Sequence, residues 1–301
     1  MNFLFTFEQS VVPILLIILT GFIYYKICKP DIKQLANPFL LVFSPMTVFN
    51  ELVKNSISPL AISKHLLFMI MLTSALMVLG LIIVRVFRIK HGHRMPFILT
   101  VSMINIGNFG VPLIIFTYGQ AGLHHSIMTF IAFNLPLTTI AIYLSSGQAT
   151  KMGAFMDMVK IPMFHATVLA LIVTGFGIHI PEPVMKVTGF LGSATFPLAI
   201  FILGMQVASI RFSANILWLA LLAVTVRLCV SPFMSWELAG LSGLSGLEKS
   251  VAVIQTSGPS AILPLIYAIK FNRPTDLLAA TVLLTTAVSA ITLTILITLI
   301  S

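Results

Sequence analysis

Runs of about twenty apolar residues, separated by short polar connections, fill the chain from end to end. Ten are present, at 9–27, 34–53, 65–86, 95–118, 122–145, 161–179, 184–208, 214–237, 249–270 and 276–300. A helix needs about 20 apolar residues to cross about 30 Å of hydrocarbon, so each run has the length of one membrane crossing. Inside lipid every backbone N–H and C=O must be bonded within its own segment, which selects helices, and the expected fold is all-α. The first run has no basic stretch before it and no small-residue cleavage site after it, so it reads as a membrane helix rather than a signal peptide. The longest connections, near 54–64, 146–160 and 238–248, are too short for a soluble domain, and residues 1–301 read as one membrane domain.

Composition narrows the classes of function. Apolar residues make up 58% of the chain and charged residues 8%, against about 25% charged in soluble domains, so a soluble enzyme is excluded. The formal charge of +9 sits on scattered basic residues between apolar runs, which argues for membrane topology and against nucleic acid. One set of alternating connections holds Lys26, Lys29, Lys33, Arg85, Arg88, Lys90, Arg94, Lys151, Lys160, Arg211, Lys270 and Arg273. The other holds only Lys54, Lys64, Lys186 and Lys249, and this imbalance predicts a multi-pass protein of the plasma or inner membrane with both termini outside. Cys28 and Cys229 are too far apart in sequence to suggest a disulfide framework or a metal pair.

Ten runs invite a search for internal symmetry, since many carriers consist of two copies related by an axis in the membrane plane. An offset of 152 residues lays Ser44-Pro45-Met46 over Phe196-Pro197-Leu198 and Pro112 over Pro264. It also lays Asn105-Ile106-Gly107-Asn108 over Ser257-Gly258-Pro259-Ser260, both polar interruptions in mid-span. Five helices per copy make the second copy enter from the opposite face, so repeats over 1–150 and 151–301 are expected to be inverted. Gly107, Gly110 and Pro112 predict that the fourth span breaks near 105–112, because Pro lacks a donor and Gly weakens a helix. A break at that depth lines a cavity or is buried in protein, and its half-helix ends can hold an anion. The alternative is a proline kink whose glycines let helices pack closely. The paired segment from Gln255 to Pro264 favours a binding site.

The run Asn105-x-Gly107-Asn108-x-Gly110-x-Pro112 resembles the auxin efflux carrier family. So do Leu191-Gly192-Ser193-Ala194-Thr195-Phe196-Pro197-Leu198-Ala199 with Gly204, Arg227-Leu228 ahead of Pro232, and Pro259 and Pro264 followed by Leu284-Thr285-Thr286. The likeness covers nearly the whole chain, and the short 146–160 connection is similar to compact microbial members rather than to plant PIN-type carriers with a long loop. It implies ten transmembrane helices as two inverted five-helix repeats, with broken helices four and nine crossing at their prolines, as in bile-acid symporter and sodium/proton antiporter folds. It also implies a transport domain from spans 65–145 and 214–300, a scaffold from spans 9–53 and 161–208, and dimerisation through the scaffold. The substrate class it implies is a small organic anion, such as a carboxylate or an auxin-like acid. Two positions depart from the pattern: Ile161-Pro162 stands where many relatives have Asn before the proline, and Gly258-Pro259 where Met-Pro or Ala-Pro is more usual.

The candidate substrate-binding residues are then Asn105, Gly107, Asn108, Gly110, Pro112, Gln255, Ser257, Pro259, Ser260 and Pro264, with Asn50 and Arg227. Backbone N–H groups near Gly107–Gly110 and Gly258–Ala261 would hold a carboxylate. Arg227, the one charge expected near mid-depth, either attracts the anion or is structural, bonding carbonyls freed by a helix break or pairing with Glu237. Thr47, Asn50 and Gln206 could line the scaffold side or make interhelical hydrogen bonds. His91, His93, His124, His125 and His165 read as interfacial residues, and neither a metal site nor a cofactor is expected. All acidic residues fall near span ends or in loops, which favours a carrier driven by membrane potential. The alternatives are a Na⁺- or H⁺-coupled symporter of the bile-acid type, with Thr285, Thr286 and Ser289 as Na⁺ ligands, and an anion sensor that moves nothing. No span holds an Asp pair, HExxH or GxSxG, so catalysis is not expected. The partners expected are the anion and membrane lipid, without nucleic acid.

Overall fold

A computed structural model describes residues 2–54, 59–146, 162–210, 216–270 and 273–300, and these are helical almost throughout. Helix α1 covers Phe3–Cys28. Helix α2 covers 32–54, starts at the Asp31 cap, and widens into a π-helical turn at Phe39–Phe43 just ahead of Pro45. A wide turn there accommodates a residue that cannot donate to the turn before it. Helix α3 covers Pro59–Val86 and α4 His91–Ser102. Helix α5, over 106–118, and α6, over 120–146, are separated by Gly119 at φ 58° and ψ −144°. Helix α7 covers Pro162–Gly175, and α8 covers Glu182–Ser209 with a tightened turn at Ala194. Helix α9 covers Leu217–Leu241, with a π-helical turn at Val226–Val230 ahead of Pro232. Helices α10 (Gly246–Thr256), α11 (Leu263–Lys270) and α12 (Asp276–Ile300) complete the chain. Lys151, Asp157, Lys160, Ile161 and Arg211 lie outside the described residues.

Among the described residues, five helical segments are long and apolar enough to cross a membrane: Phe3–Cys28, Ile62–Val86, Glu182–Ser209, Leu217–Leu241 and Asp276–Ile300. Phe176 and Phe190 are each 81% exposed and Phe233 77%, so the outer faces of the bundle are built for lipid. The fold is that of a multi-pass, all-helical membrane protein.

Packing sorts the helices. The largest apolar core joins α3, α4, α9, α10 and α12 through residues such as Phe68, Leu72, Phe97, Ala223 and Val282. A smaller core joins α2 to α7 through Val48, Leu52, Met163 and Ala170. Helices α1 and α8 touch backbone to backbone, because Gly21 lies against the Phe201 carbonyl and Gly204 against that of Ile18. Small residues permit such approach where no hydrophobic force draws helices together in lipid. Thr47 Oγ1 lies 2.8 Å from the Gly192 carbonyl oxygen and 2.6 Å from Thr195 Oγ1, fastening α2 to α8.

Candidate substrate site

The chain unwinds twice inside the bundle. Met103, Ile104 and Asn105 separate α4 from α5, and residues 257–262 separate α10 from α11. The two stretches pair antiparallel through a bridge between Ile104 and Ser260. The Asn105 N–H donates to the Pro259 carbonyl and the Ala261 N–H to that of Met103, both at 2.9 Å. Ser260 Oγ donates to the Thr100 carbonyl at 2.7 Å, and its N–H donates to Thr285 Oγ1 at 3.1 Å. Exchange between the stretches therefore satisfies groups that a helix would have bonded internally. The first unwinding lies upstream of the expected 105–112. Gly107 and Gly110 sit in the π-helical turn that opens α5, and Pro112 follows in its first α-helical turn. Pro264 is likewise the second residue of α11. Pro264, near a helix start, sacrifices no intrahelical bond, whereas Pro112 is the seventh residue of α5 and follows the wide π-helical turn that accommodates its missing donor, so neither proline occupies a break.

Arg227, fully buried, closes the rear of this junction. Its Nε donates to the Gly258 carbonyl at 3.1 Å and Nη1 to the Val101 carbonyl at 3.3 Å and Ser231 Oγ at 2.8 Å, while Nη2 bonds the Thr256 carbonyl. Val101 and Thr256 stand at the C-terminal ends of α4 and α10, where carbonyls are orphaned and the dipole is negative. The cation thus serves both half-helix ends at once.

On the front lies a cavity of about 140 Å³. Asn105, Gly107 and Asn108 line it from one break, Ala261 to Leu263 from the other, and Ser44 and Gln206 from α2 and α8. The N-termini of α5 and α11 both border it, and the first N–H groups of each have no acceptor within their helix. Asn105 Nδ2, Gln206 Oε1 and Ser44 Oγ are buried without a hydrogen-bond partner. Phe130, Phe133, Ile202 and Ile266 supply apolar wall. The space is small, weakly polar and bordered by two positive helix ends, a setting for a compact anion.

The other residues singled out from sequence lie around the cavity rather than on its wall. Gln255 donates from Nε2 to the Ser126 carbonyl at 3.2 Å and packs against Gly110, where a Cβ would come within 2.7 Å of its Cγ. Ser257 Oγ donates to the Val253 carbonyl at 2.7 Å within α10. Asn50 Oδ1 accepts from Thr188 at 3.4 Å between α2 and α8. Arg227 has its donors on protein acceptors. Thr286 and Ser289 donate to carbonyls of their own helix, as does Thr285 while it accepts from Ser260. Ser44, a wall residue, is marked in the sequence only through the repeat that Pro45 carries, not as a binding residue.

Residues 6–297 match the family described as Membrane transport protein. The chain belongs to this family. It is the auxin efflux carrier family that the Asn105–Pro112 motif resembles, and the protein is a membrane transporter. An uncharacterized transporter of Methanocaldococcus jannaschii is 26% identical over 289 residues, which cover 92% of this chain and 93% of the relative. An uncharacterized transporter of Methanothermobacter thermautotrophicus is 24% identical over 291 residues, 95% of each chain. The family match spans both interrupted regions, so the cavity between them lies within the part shared with these transporters.

Proposed function

We propose that this transporter is a secondary carrier of a small organic anion that works by alternating access around the interrupted helices. The observation that carries the reading is the cavity where the N-termini of α5 and α11 meet the unpartnered Asn105 Nδ2. Size narrows the substrate. The cavity is small beside the roughly 300–1,000 Å³ of ordinary ligand pockets, which favours a short carboxylate over an indole-sized acid. In this reading the chain crosses the membrane ten times as two inverted repeats, with α4–α5 and α10–α11 as the crossing pair. Helices α1, α2, α7 and α8 form the scaffold, through which two copies associate, and the rest move against it. In this reading Ala36, Leu40, Met163 and Ile266, which line the cavity, belong to helix segments next to the basic, inner connections. Among the described residues the cavity wall carries no acidic residue, and in this reading the anion crosses with its charge uncompensated and the membrane potential expels it.

The test is counterflow of labelled mono- and dicarboxylates and indole acetate in proteoliposomes, with the potential clamped at two values and no Na⁺ or pH gradient. Movement of a short carboxylate at a rate that follows potential is the expected result. Binding without flux under every gradient would replace the carrier with a sensor.

A further inference from the structure

Near their N-terminal ends, helices α3, α6 and α10 bring titratable groups together. His65, near the start of α3, is fully buried, and its Nδ1 lies 3.6 Å from Glu248 Oε1 in the first turn of α10. Lys64 and His124 act electrostatically on the same carboxylate, and His65 and His124 act on His125. The His124 and His125 rings lie 3.8 Å apart at the start of α6. Lys249, next to Glu248, turns instead onto the face of Trp236 at 3.9 Å from the ring centroid. Lys64, His124 and Glu248 all fall on the side that the basic-residue imbalance places outside. Burial holds the Glu248 carboxyl above its usual range, although Lys64 and a backbone hydrogen bond from Ser245 oppose this.

We propose that His65 and Glu248 form a proton-binding site, in which one proton from the outer aqueous phase is shared between imidazole and carboxylate and controls the rearrangement of α10 against α3. The inference rests on the carrier reading for its role in turnover. Two features argue for a proton. A carboxylate and an imidazole in a half-buried place exist as a pair of charge −1 or, with one proton, of charge zero, and burial favours the second. Two side chains fall short of the three or four ligands of a zinc site, and among the described residues no group of three or more His, Cys, Asp and Glu is placed to hold a metal. The route to the substrate site is short and stiff. Helix α10 carries Glu248 in its first turn and Thr256 at its end, about 12 Å along the axis at 1.5 Å per residue. Gln255 ties that far end to Ser126 of α6, one residue beyond His125. When the pair loses its proton, the uncompensated charge weakens the α3–α10 contact at the outer end, and α10 transmits the change to the break.

Trp236 offers a readout that needs no substrate. In Trp218→Phe protein reconstituted in lipid nanodiscs, Trp236 emission should change with one apparent midpoint across the range where His and Glu titrate, about pH 4 to 8. Glu248→Gln and His65→Gln should each remove that transition or move it by about one unit or more, and His91→Gln, on the opposite face, should leave it in place. A midpoint unchanged in both variants, or no transition in the parent, overturns the proposal. Glu248→Gln, at the partly exposed end of the pair, serves where His65→Gln fails to fold. In proteoliposomes, failure of the carrier reading appears as absence of flux with the emission transition intact, and failure of the proton site as flux without the transition.

Discussion

Two buried polar residues at the same junction have opposite relations to their surroundings, and mutation should separate them. Arg227 has protein acceptors for its Nε, Nη1 and Nη2 donors, three of them carbonyls from the two interrupted helices. Lysine keeps the charge but not the planar fork, so Arg227→Lys leaves carbonyls at Val101 or Gly258 orphaned, at about 1–3 kcal/mol each. A lower melting temperature of the purified protein is expected. Equal melting of variant and parent would mean that the carbonyls need no cation. Asn105 Nδ2 has no partner, so Asn105→Ala should leave the melting temperature within the change that about 1 kcal/mol produces, yet weaken substrate binding about tenfold, the worth of one charge-assisted hydrogen bond. Unchanged affinity would remove Asn105 from the site. From sequence, Arg227 stood out because charge at mid-depth is rare, but not its carbonyl partners, which lie 29 to 126 residues away. His65, one polar residue at the start of an apolar run, gives no sign of the carboxylate it meets.

At the scale of elements, Gly and Pro located the interruptions to within about a turn and misplaced the first of them. The unwound residues are Met103 to Asn105, apolar at two of three positions, because what holds them extended is the partner stretch at 259–261. Residue 104 pairs with 260, whereas an offset of 152 would lead to 256, about one helical turn away. Prolines that follow the interruptions can be aligned from sequence, but the register of the bridge depends on contacts between elements. The α1–α8 contact follows a similar rule, since glycines mark close approach without saying to what. A Cβ at Gly204 would overlap the Ile18 carbonyl, and a backbone atom cannot turn aside as a side chain can. Gly204→Ala should therefore destabilise the protein by about 1–3 kcal/mol, seen as reduced monodispersity and a lower melting temperature in detergent. Gly175→Ala, where nothing lies within 4 Å of the added carbon, is the control and should behave as the parent.

For the whole molecule, the decisive quantity is the net charge moved per cycle. Among the described residues the cavity wall presents helix ends, amides and apolar groups, with no acid to carry a proton beside the proposed anion. Glu248 lies in the first turn of α10, about 12 Å from the interrupted end, and His65 meets it from α3, so a proton there changes how readily the carrier turns over without travelling with the substrate. These roles give different results at equilibrium. A monoanion moved alone gains about 2.3 kcal/mol per 100 mV, and at about 1.4 kcal/mol per decade this sets a concentration ratio of roughly fiftyfold. Proteoliposomes held at that potential should reach this ratio at every pH where they transport, quickly on one side of the Trp236 transition and slowly on the other, because a gate alters rates and leaves end points alone. If the proton crossed with the anion, the pair would be neutral, the potential would accumulate nothing, and an imposed pH gradient would. Final substrate ratios under potential alone and under a pH gradient alone therefore tell gating from coupling. A ratio near one under potential, with accumulation under the pH gradient, would make the His65–Glu248 proton part of the cargo and overturn the uncompensated-anion reading.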